Sequence, residues 1–261
     1  MASDRTSDPG LRVHRNLNHR IDRFQVLGDR NSGTNFLSTL IERNFPELQP
    51  TRELGWKHGF LDRRMIAAPG LLTFVVYRHP LRWIESVHRA PVEVSQAMTA
   101  LDFHDFLRAE WQPAWVREDG TEEPIQGDMY PHTTTRFENI CRMRSVKIAY
   151  LEEMAGMPGQ IVFSRFEAVN RAPRAAMVAL AATLGMPGIR GFTPVREYEG
   201  AQTKAYAPLP AQPVSPDDLA FIRAGLDLEQ EARLGFDLDN PPARDGLRWT
   251  DPRHLRGLLR L

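Results

Sequence analysis

Short apolar runs alternate with segments of helical periodicity along most of this chain. FQVLG at 24–28 predicts a buried strand, and QIVFS at 160–164 predicts another. LLTFVVY at 71–77 is apolar throughout, which is typical of a strand buried on both faces of a parallel sheet. Because helical patterns follow these runs, the sequence predicts an α/β fold, a central parallel sheet flanked by helices.

The helical patterns begin with signals that suit helix starts. After the first apolar run, the side chains that share one helical face are Phe36, Leu37, Leu40 and Ile41, and Pro46 closes that segment. Pro80 suits the first turn of a helix after the second run. Further helices are predicted over 102–111, 133–155 and 173–184, and one more from the N-cap Ser215.

The elements predict one domain over 21–261, preceded by a flexible N-terminal arm at 1–20. Residues 91–155 are interpreted as a helical, aromatic-rich insertion in which 118–124 form a loop. Most of its aromatic side chains are predicted to be core, and an acceptor pocket is the alternative. Residues 191–216 are predicted to cross the surface.

Composition narrows the classes of function. The chain has 261 residues, 42% of them apolar, and 33 basic residues balance 33 acidic ones, so charge does not favour a nucleic-acid partner. The single cysteine, Cys141, excludes an internal disulfide and fits a reducing compartment. The longest apolar run is too short for a bilayer, and no signal peptide is recognised. These features predict a soluble cytoplasmic protein without stable membrane insertion, and they leave its oligomeric state open.

The stretch LGDRNSGTNF at 27–36 has the outline of a phosphate-binding loop. A strand, Gly28, Gly33 and an apolar helix follow one another, and helix N-termini bind anions through backbone N–H groups. The alternative is that this segment is only a helix-capping turn and binds no ligand. The candidate anion-binding residues are Arg30, Asn31, Ser32, Gly33, Thr34 and Asn35.

This loop lacks the features that grip a triphosphate. Nucleoside triphosphatases place Lys and then Ser or Thr after the second glycine, whereas Thr34 and Asn35 stand here. The strand at 71–77 ends at Arg78 rather than at a carboxylate that could hold magnesium. The loop is therefore predicted to bind a smaller anion without metal.

A second constellation follows that strand. Arg78 stands at the predicted carboxyl end, where open α/β sheets bind ligands, and Ser86 lies two helical turns further on. An Arg and a Ser hydroxyl from the next helix could form a second phosphate site.

Together, NSGTNFL at 31–37 and RHPLRWIES at 78–86 resemble the sulfotransferases that use 3′-phosphoadenosine-5′-phosphosulfate (PAPS). WKHGF at 56–60, RFEAV at 165–169 and SPDDL at 215–219 are similar to further motifs of that family. The resemblance covers about residues 24–236. It implies a P-loop NTPase-like sulfotransferase architecture, PAPS as co-substrate, no metal, and transfer of a sulfuryl group to an acceptor hydroxyl.

The resemblance also implies roles for individual residues. His58 would be the general base, with Glu53 and Glu85 as fallback candidates. Many relatives carry Lys or Arg where Asn31 stands, so either Arg30 or Lys57 would supply the catalytic cation or the activity would be reduced. The resemblance further suggests Lys204 as a ligand of the 3′-phosphate, although a solvated lysine is an equal alternative.

Two other functions remain open. A P-loop kinase or nucleotidase would bind ATP and magnesium, and the missing lysine counts against it. A non-catalytic nucleotide-binding protein that retains the fold is compatible with Asn31. The sequence does not identify the acceptor. A small molecule or a glycan is expected, with a carbohydrate hydroxyl preferred, and a lipid, a small alcohol and a protein tyrosine stay open as alternatives.

Overall fold

The computed structural model describes residues 10–15, 19–189, 191–198, 204–205 and 213–242, without the side chains of residues 197, 198, 204 and 205. In chain order the strands and α-helices are β1 (Leu11–Arg15), β2 (Arg23–Leu27), α1 (Thr34–Asn44), β3 (Gln49–Pro50), β4 (Leu71–Tyr77), α2 (Pro80–Arg89), α3 (Gln96–Thr99), α4 (Phe103–Arg108), β5 (Ala114–Val116), β6 (Glu122–Pro124), α5 (Ile140–Glu152), β7 (Gln160–Arg165), α6 (Phe166–Arg171), α7 (Pro173–Leu184), β8 (Glu197–Tyr198), β9 (Lys204–Ala205), α8 (Pro216–Gly225) and α9 (Leu228–Arg233).

Within the described residues, five strands form a central sheet in the order β1-β7-β4-β2-β3. The pairs β7–β4, β4–β2 and β2–β3 are parallel, and β1 joins β7 antiparallel. All seven residues of β4 are buried, as the continuous apolar run predicted. The predicted α/β class, a largely parallel sheet flanked by helices, is confirmed.

Helices cover both faces of the sheet. On one face, Phe74 and its neighbours on alternate positions of β4 pack in one cluster with α1 and α7. On the other face, Val75 packs in a second cluster with Ile148 and Leu151 of α5. Side chains that alternate along a strand therefore serve two separate cores.

A third cluster holds the predicted insertion to the rest of the molecule. Phe103, Phe106 and Trp111 are buried there with residues of α2, α5 and α8. The interpretation of these aromatic side chains as core is confirmed. Trp115 differs, because it is exposed.

The flexible arm predicted at 1–20 is wrong for Leu11–Arg15, which form β1. This strand pairs with β7 from Leu11 opposite Ser164 to Arg15 opposite Gln160. Val13 packs against the sheet core, so apolar side chains between the arginines hold the strand in place. Residues 1–9 and 16–18 lie outside the described residues.

Two predictions within the insertion are wrong in part. The helix predicted over 133–155 begins only at Ile140, where the side chain of Asn139 accepts a hydrogen bond from Arg142 N at 2.9 Å. The three consecutive threonines at 133–135 lie in bends and irregular backbone before it, in keeping with the low helix propensity of β-branched residues. The predicted loop at 118–124 ends in β6, which pairs antiparallel with β5.

The carboxyl ends of β2, β4 and β7 meet at one edge of the sheet, because these three strands are parallel. The loop at 28–33, Arg78 and Phe166 follow those ends directly. This edge is where open α/β sheets place ligands. In the described part of the chain, every helix is too short or too polar to cross a membrane.

Candidate functional site

Two glycines shape the loop between β2 and α1. Gly28 has φ +154°, and a Cβ there would lie 2.6 Å from the carbonyl oxygen of Val76. Gly33 has φ +101° and is the N-cap of α1, and a Cβ there would overlap the ring of Phe166. The loop therefore lies against β4 and α6 more closely than any side chain would permit.

The loop opens onto the N-terminus of α1. The first hydrogen bond of this helix runs from Leu37 N to Gly33 O at 3.0 Å, so the preceding N–H groups lie at its open end. Gly33 has no side chain to cap them. Ser32 and Thr34 are buried, and the Ser32 hydroxyl donates to Asp29 O at 2.6 Å. The hydroxyl of Ser32 thus closes the turn itself.

Asn31 connects the two predicted anion sites. Its backbone is left-handed, with φ +57°, which Asn tolerates better than most residues. Its amide donates to Ser86 O at 2.9 Å and to Ala90 O at 3.0 Å, at the end of α2. Arg78 Nη1 donates to Asn31 O at 2.8 Å. The loop, Arg78 and the helix that carries Ser86 are therefore in direct contact.

The side chain of Arg30 is buried against two carboxylates. Its side chain is 3% exposed and pairs with Asp128 and with Glu93, at 3.2 Å from the latter. The guanidinium also lies over the ring of Trp56, 4.9 Å from its centroid. The predicted role of Arg30 as an anion ligand and catalytic cation disagrees with this geometry, because two carboxylates already balance its charge.

Behind the loop, Arg30 belongs to a buried ion network. Lys147 of α5 pairs with Asp128 and, at 3.1 Å, with Asp29, and it donates to His58 O at 2.7 Å. Burial alone would raise the pKa of Asp128, but the charges of Arg30 and Lys147 outweigh it and hold that pKa below its ordinary value.

Three basic residues of α5, namely Arg142, Arg144 and Lys147, would be predicted from the sequence to form a solvated face, and this prediction is wrong for two of them. Arg144 and Lys147 are buried, whereas Arg142 is exposed. Arg144 forms a two-point ion pair with Glu231 of α9, with N···O distances of 2.6 and 2.8 Å. These cations anchor α5 beneath the site.

Lys57 lies beside the N-terminus of α1. Its Nζ donates to Asn35 Oδ1 in the first turn of α1. Its carbonyl oxygen accepts from Gly28 N at 3.1 Å, which ties the segment to the loop. Burial lowers the pKa of Lys57, with the charge of Glu93 opposing the shift. Of the two predicted cations, Lys57 is the one beside the helix N-terminus.

His58 contacts the same loop. Its Nδ1 is 2.6 Å from Gly28 O, so in the neutral imidazole Nδ1–H donates and Nε2 keeps a lone pair. Burial lowers its pKa to about 3, with help from nearby cations and against the hydrogen bond to Gly28. The imidazole is therefore neutral near pH 7 and held in one orientation.

The remaining predicted residues are placed less favourably or lie outside the described part of the chain. Both fallback bases are engaged by arginines, Glu53 by Arg23 and Glu85 by Arg82. The prediction for Lys204 concerns a side chain outside the described residues.

Phe166 forms a wall of the site. Its ring packs edge-on against Phe36, with centroids 5.6 Å apart, and lies 5.1 Å from the guanidinium carbon of Arg78. Glu167 accepts from His79 N at 2.9 Å, and burial raises the pKa of Glu167. The RFEAV segment thus stands beside the loop.

Sequence reasoning missed Asp128 and Trp56. No motif marks Asp128, whose role depends on contacts with Arg30 and Lys147 that are distant in sequence. Trp56 could have been found, because it directly precedes Lys57 and His58.

Among the described residues, one group has the composition of a metal site, namely His104, Asp217 and Asp218. Arg108 pairs with both aspartates, at 2.6 and 2.8 Å. That arginine supplies the positive charge that a metal ion would bring. The group lies on α4 and in the first turn of α8.

No protein-family model, curated protein or solved structure matches this chain. The functional interpretation depends on the site itself.

Proposed function

We propose that this protein is a sulfotransferase of P-loop-like architecture that takes a sulfuryl group from PAPS and transfers it to an acceptor hydroxyl, without metal. The observation that carries this proposal is the contact of Asn31 with both Arg78 and the end of α2. It joins two motifs that a nucleotide with separate 5′- and 3′-phosphates would need at one edge of the sheet.

The donor would be held by backbone and by two cations. The 5′-phosphosulfate suits the open end of α1, where N–H groups and the helix dipole favour a negative charge. Lys57 lies at that end and would add a cation near the bridging oxygen. Arg78 and Ser86, adjoining Asn31, suit the 3′-phosphate.

The reaction is an in-line displacement at sulfur. The acceptor oxygen forms a bond to sulfur, and the bond from sulfur to the bridging oxygen of the 5′-phosphate breaks. The electron pair of that bond leaves with the phosphate, so the products are a sulfate ester and adenosine 3′,5′-bisphosphate. The acceptor proton goes to Nε2 of His58, whose Nδ1 is held by Gly28 O.

The low pKa of His58 is compatible with this role once an anion is bound. Burial and the cations Arg30, Lys57 and Lys147 depress that pKa to about 3. A negatively charged sulfonate nearby would act in the opposite direction and raise it. The base would therefore gain strength when the donor is in place.

A kinase or nucleotidase is the weaker alternative. Its magnesium would need a carboxylate at the loop, and Asp29 is already paired with Lys147 at 3.1 Å. A non-catalytic nucleotide-binding protein would use the same loop without a role for His58. Assays of sulfuryl transfer distinguish such a protein from a sulfotransferase.

Binding of adenosine 3′,5′-bisphosphate tests the two phosphate sites. At about 100 times its dissociation constant the bisphosphate should add roughly 2.7 kcal/mol to stability, measured as a thermal shift. ATP with magnesium should give a smaller shift. A shift with ATP and magnesium alone would contradict the proposal.

Substitutions of Arg78 and Lys57 test their separate contributions to nucleotide affinity. Arg78→Met should weaken the bisphosphate more than adenosine 5′-monophosphate, because the contact with the 3′-phosphate is lost for the bisphosphate alone, whereas the lost bond to Asn31 O affects both nucleotides. Lys57→Met should weaken both nucleotides about equally. Arg64→Met removes an exposed cation whose partner is Asp62, and it serves as the control. Equal effects of Arg78→Met on both nucleotides would contradict the assignment of Arg78.

Transfer of a radiolabelled sulfuryl group from PAPS to a panel of hydroxyl acceptors tests His58. His58→Asn can keep an N–H toward Gly28 O but offers no base, so transfer should fall by about 100-fold or more. Bisphosphate affinity should stay within a few-fold of wild type. Bisphosphate binding by a wild-type protein that transfers nothing would favour the non-catalytic alternative.

A further inference from the structure

We propose that an open pocket between Trp56 and Trp115 is a subsite for a pyranose ring of a glycan acceptor. This inference rests on the proposed function, because the bound sugar is an acceptor only if the protein is a sulfotransferase. The binding of a sugar can be tested by itself. The pocket has a volume of about 530 Å³, and Glu123, Gln126 and Gly127 also line it.

Trp56 is a fixed wall of this pocket. The guanidinium of Arg30 lies against its ring, 4.9 Å from the centroid. A Cβ at Gly59 would lie 2.8 Å from Trp56 Cε3, and one at Gly127 would lie 3.7 Å from it. The indole is therefore held by a buried cation and by two glycines that leave room for it, and it needs little ordering when a ligand binds.

Trp115 is the exposed wall. Its side chain stands on β5 at 41% exposure, with its ring centroid 5.7 Å from that of Trp56 and an interplanar angle of 62°. The two indoles present apolar surface at the mouth of an open pocket whose lining also includes the polar side chains of Glu123 and Gln126.

The lining favours a sugar over a lipid. A pyranose has apolar C–H faces that pack on indole rings, and hydroxyl groups that donate to Glu123 or exchange hydrogen bonds with the exposed amide of Gln126. A lipid or steroid would need an enclosed apolar cavity to bury most of its surface. This pocket is open and has a carboxylate at its rim.

Chain connectivity places the pocket next to the reacting groups. Trp56 packs edge-on against His58, with ring centroids 5.6 Å apart. Lys57, between them, lies at the N-terminus of α1. A sugar seated on Trp56 would therefore have its hydroxyls near the proposed base and the sulfuryl donor.

The surface also allows more than one sugar. A second pocket of about 440 Å³ shares Pro124 and Gln126 with the first and continues toward Thr134 and Arg136. An oligosaccharide could cross from one pocket to the other along this shared edge, so a chain fits better than a single monosaccharide.

The test is binding of defined oligosaccharides to the full chain without donor. Cellotetraose, N-acetylchitotetraose and a heparosan tetrasaccharide serve as probes, with calorimetry for affinity and saturation-transfer NMR for the contacting protons. At least one should bind with a dissociation constant of about 1 mM or lower, through C–H protons of the sugar rings. Failure of all three to bind at about ten times that concentration would overturn the inference.

Trp115→Ala should lower the affinity at least about ten-fold, as expected for the loss of an aromatic anchor. Val116→Ala is the matched control, because Val116 is 44% exposed on the same strand and its side chain points to the opposite face. Equal effects of the two substitutions would overturn the inference.

Thermal shifts with adenosine 3′,5′-bisphosphate keep the two proposals apart. Trp115→Ala should leave the bisphosphate shift unchanged. A protein that binds the bisphosphate but no saccharide retains the proposed function and loses this subsite. A protein that binds a saccharide but no bisphosphate retains the subsite and loses the sulfotransferase proposal.

Discussion

Two glycines, Gly33 and Gly55, differ in what a side chain would meet at their positions. Gly33 combines a left-handed backbone with the close approach of Phe166, whereas Gly55 has φ +81° and no atom within 4 Å of the position that a Cβ would take. The same backbone requirement thus occurs with and without a packing constraint, which allows the two effects to be measured separately.

Gly33→Ala should be far more destabilising than Gly55→Ala. Alanine in a left-handed conformation costs about 1–2 kcal/mol at either position. At Gly33, displacement of the Phe166 ring adds about 1–3 kcal/mol more. Urea denaturation measures both losses of unfolding free energy, and equal losses would show that Phe166 yields without cost.

His58 should make stability depend on pH. Its pKa is about 3 in the folded protein against an ordinary 6.5, so the unfolded chain binds more protons between those values. The contribution of His58 to the unfolding free energy is then fully present above pH 6.5. It declines as the pH falls toward 3, by up to about 1.4 kcal/mol per pH unit.

Denaturation of wild type and His58→Asn between pH 4 and pH 8 isolates this contribution, because the variant cannot titrate at that position. We expect the variant to lose less stability than wild type on acidification. Parallel curves would mean that His58 has an ordinary pKa.

At the scale of elements, one amide joins the loop to α2. Asn31 caps two carbonyls at the end of that helix, Ser86 O and Ala90 O. The residue that departs from the sulfotransferase pattern therefore has a positional role.

Two substitutions separate the amide from the backbone at this position. Asn31→Gly keeps the left-handed conformation and removes the two hydrogen bonds, so it should cost about 1–2 kcal/mol. Asn31→Ala adds strain and should cost about 1–2 kcal/mol more. Chemical denaturation gives both values, and an Asn31→Ala variant as stable as Asn31→Gly would contradict the role of the positive φ.

Elements with local signals could be predicted from the sequence. LLTFVVY formed β4, Ser215 caps α8 by accepting from Asp218 N, and Gly185 ends α7 in a left-handed conformation. The directions of Arg30 and Lys147 could not be predicted. A pattern shows which residues share a face, but their common partner Asp128 is separated from Arg30 by almost 100 positions.

For the molecule as a whole, the buried ions under the loop are a point of vulnerability. Asp29 and Asp128 share Lys147, and all three side chains are buried. Removing one member of such a group leaves charge without compensation in a medium of low polarity.

Lys147→Met should therefore destabilise the fold by about 3–5 kcal/mol. Arg233→Met, which removes the exposed partner of Glu229, should change stability by about 0.5 kcal/mol and serves as the control. Thermal and urea denaturation measure both. A small loss for Lys147→Met would show that solvent or protonation relieves the two carboxylates.

Three consecutive residues, 56–58, belong to three different neighbourhoods: the indole pocket, the first turn of α1 and the loop carbonyl at Gly28. Because these residues are consecutive, a backbone shift that moves one of them also moves the other two. The opposite wall, on the short β5–β6 hairpin, is joined to the loop by no shared stretch of chain. Diversification of this protein toward new acceptors would accordingly be expected in the hairpin, while the tripeptide stays as it is.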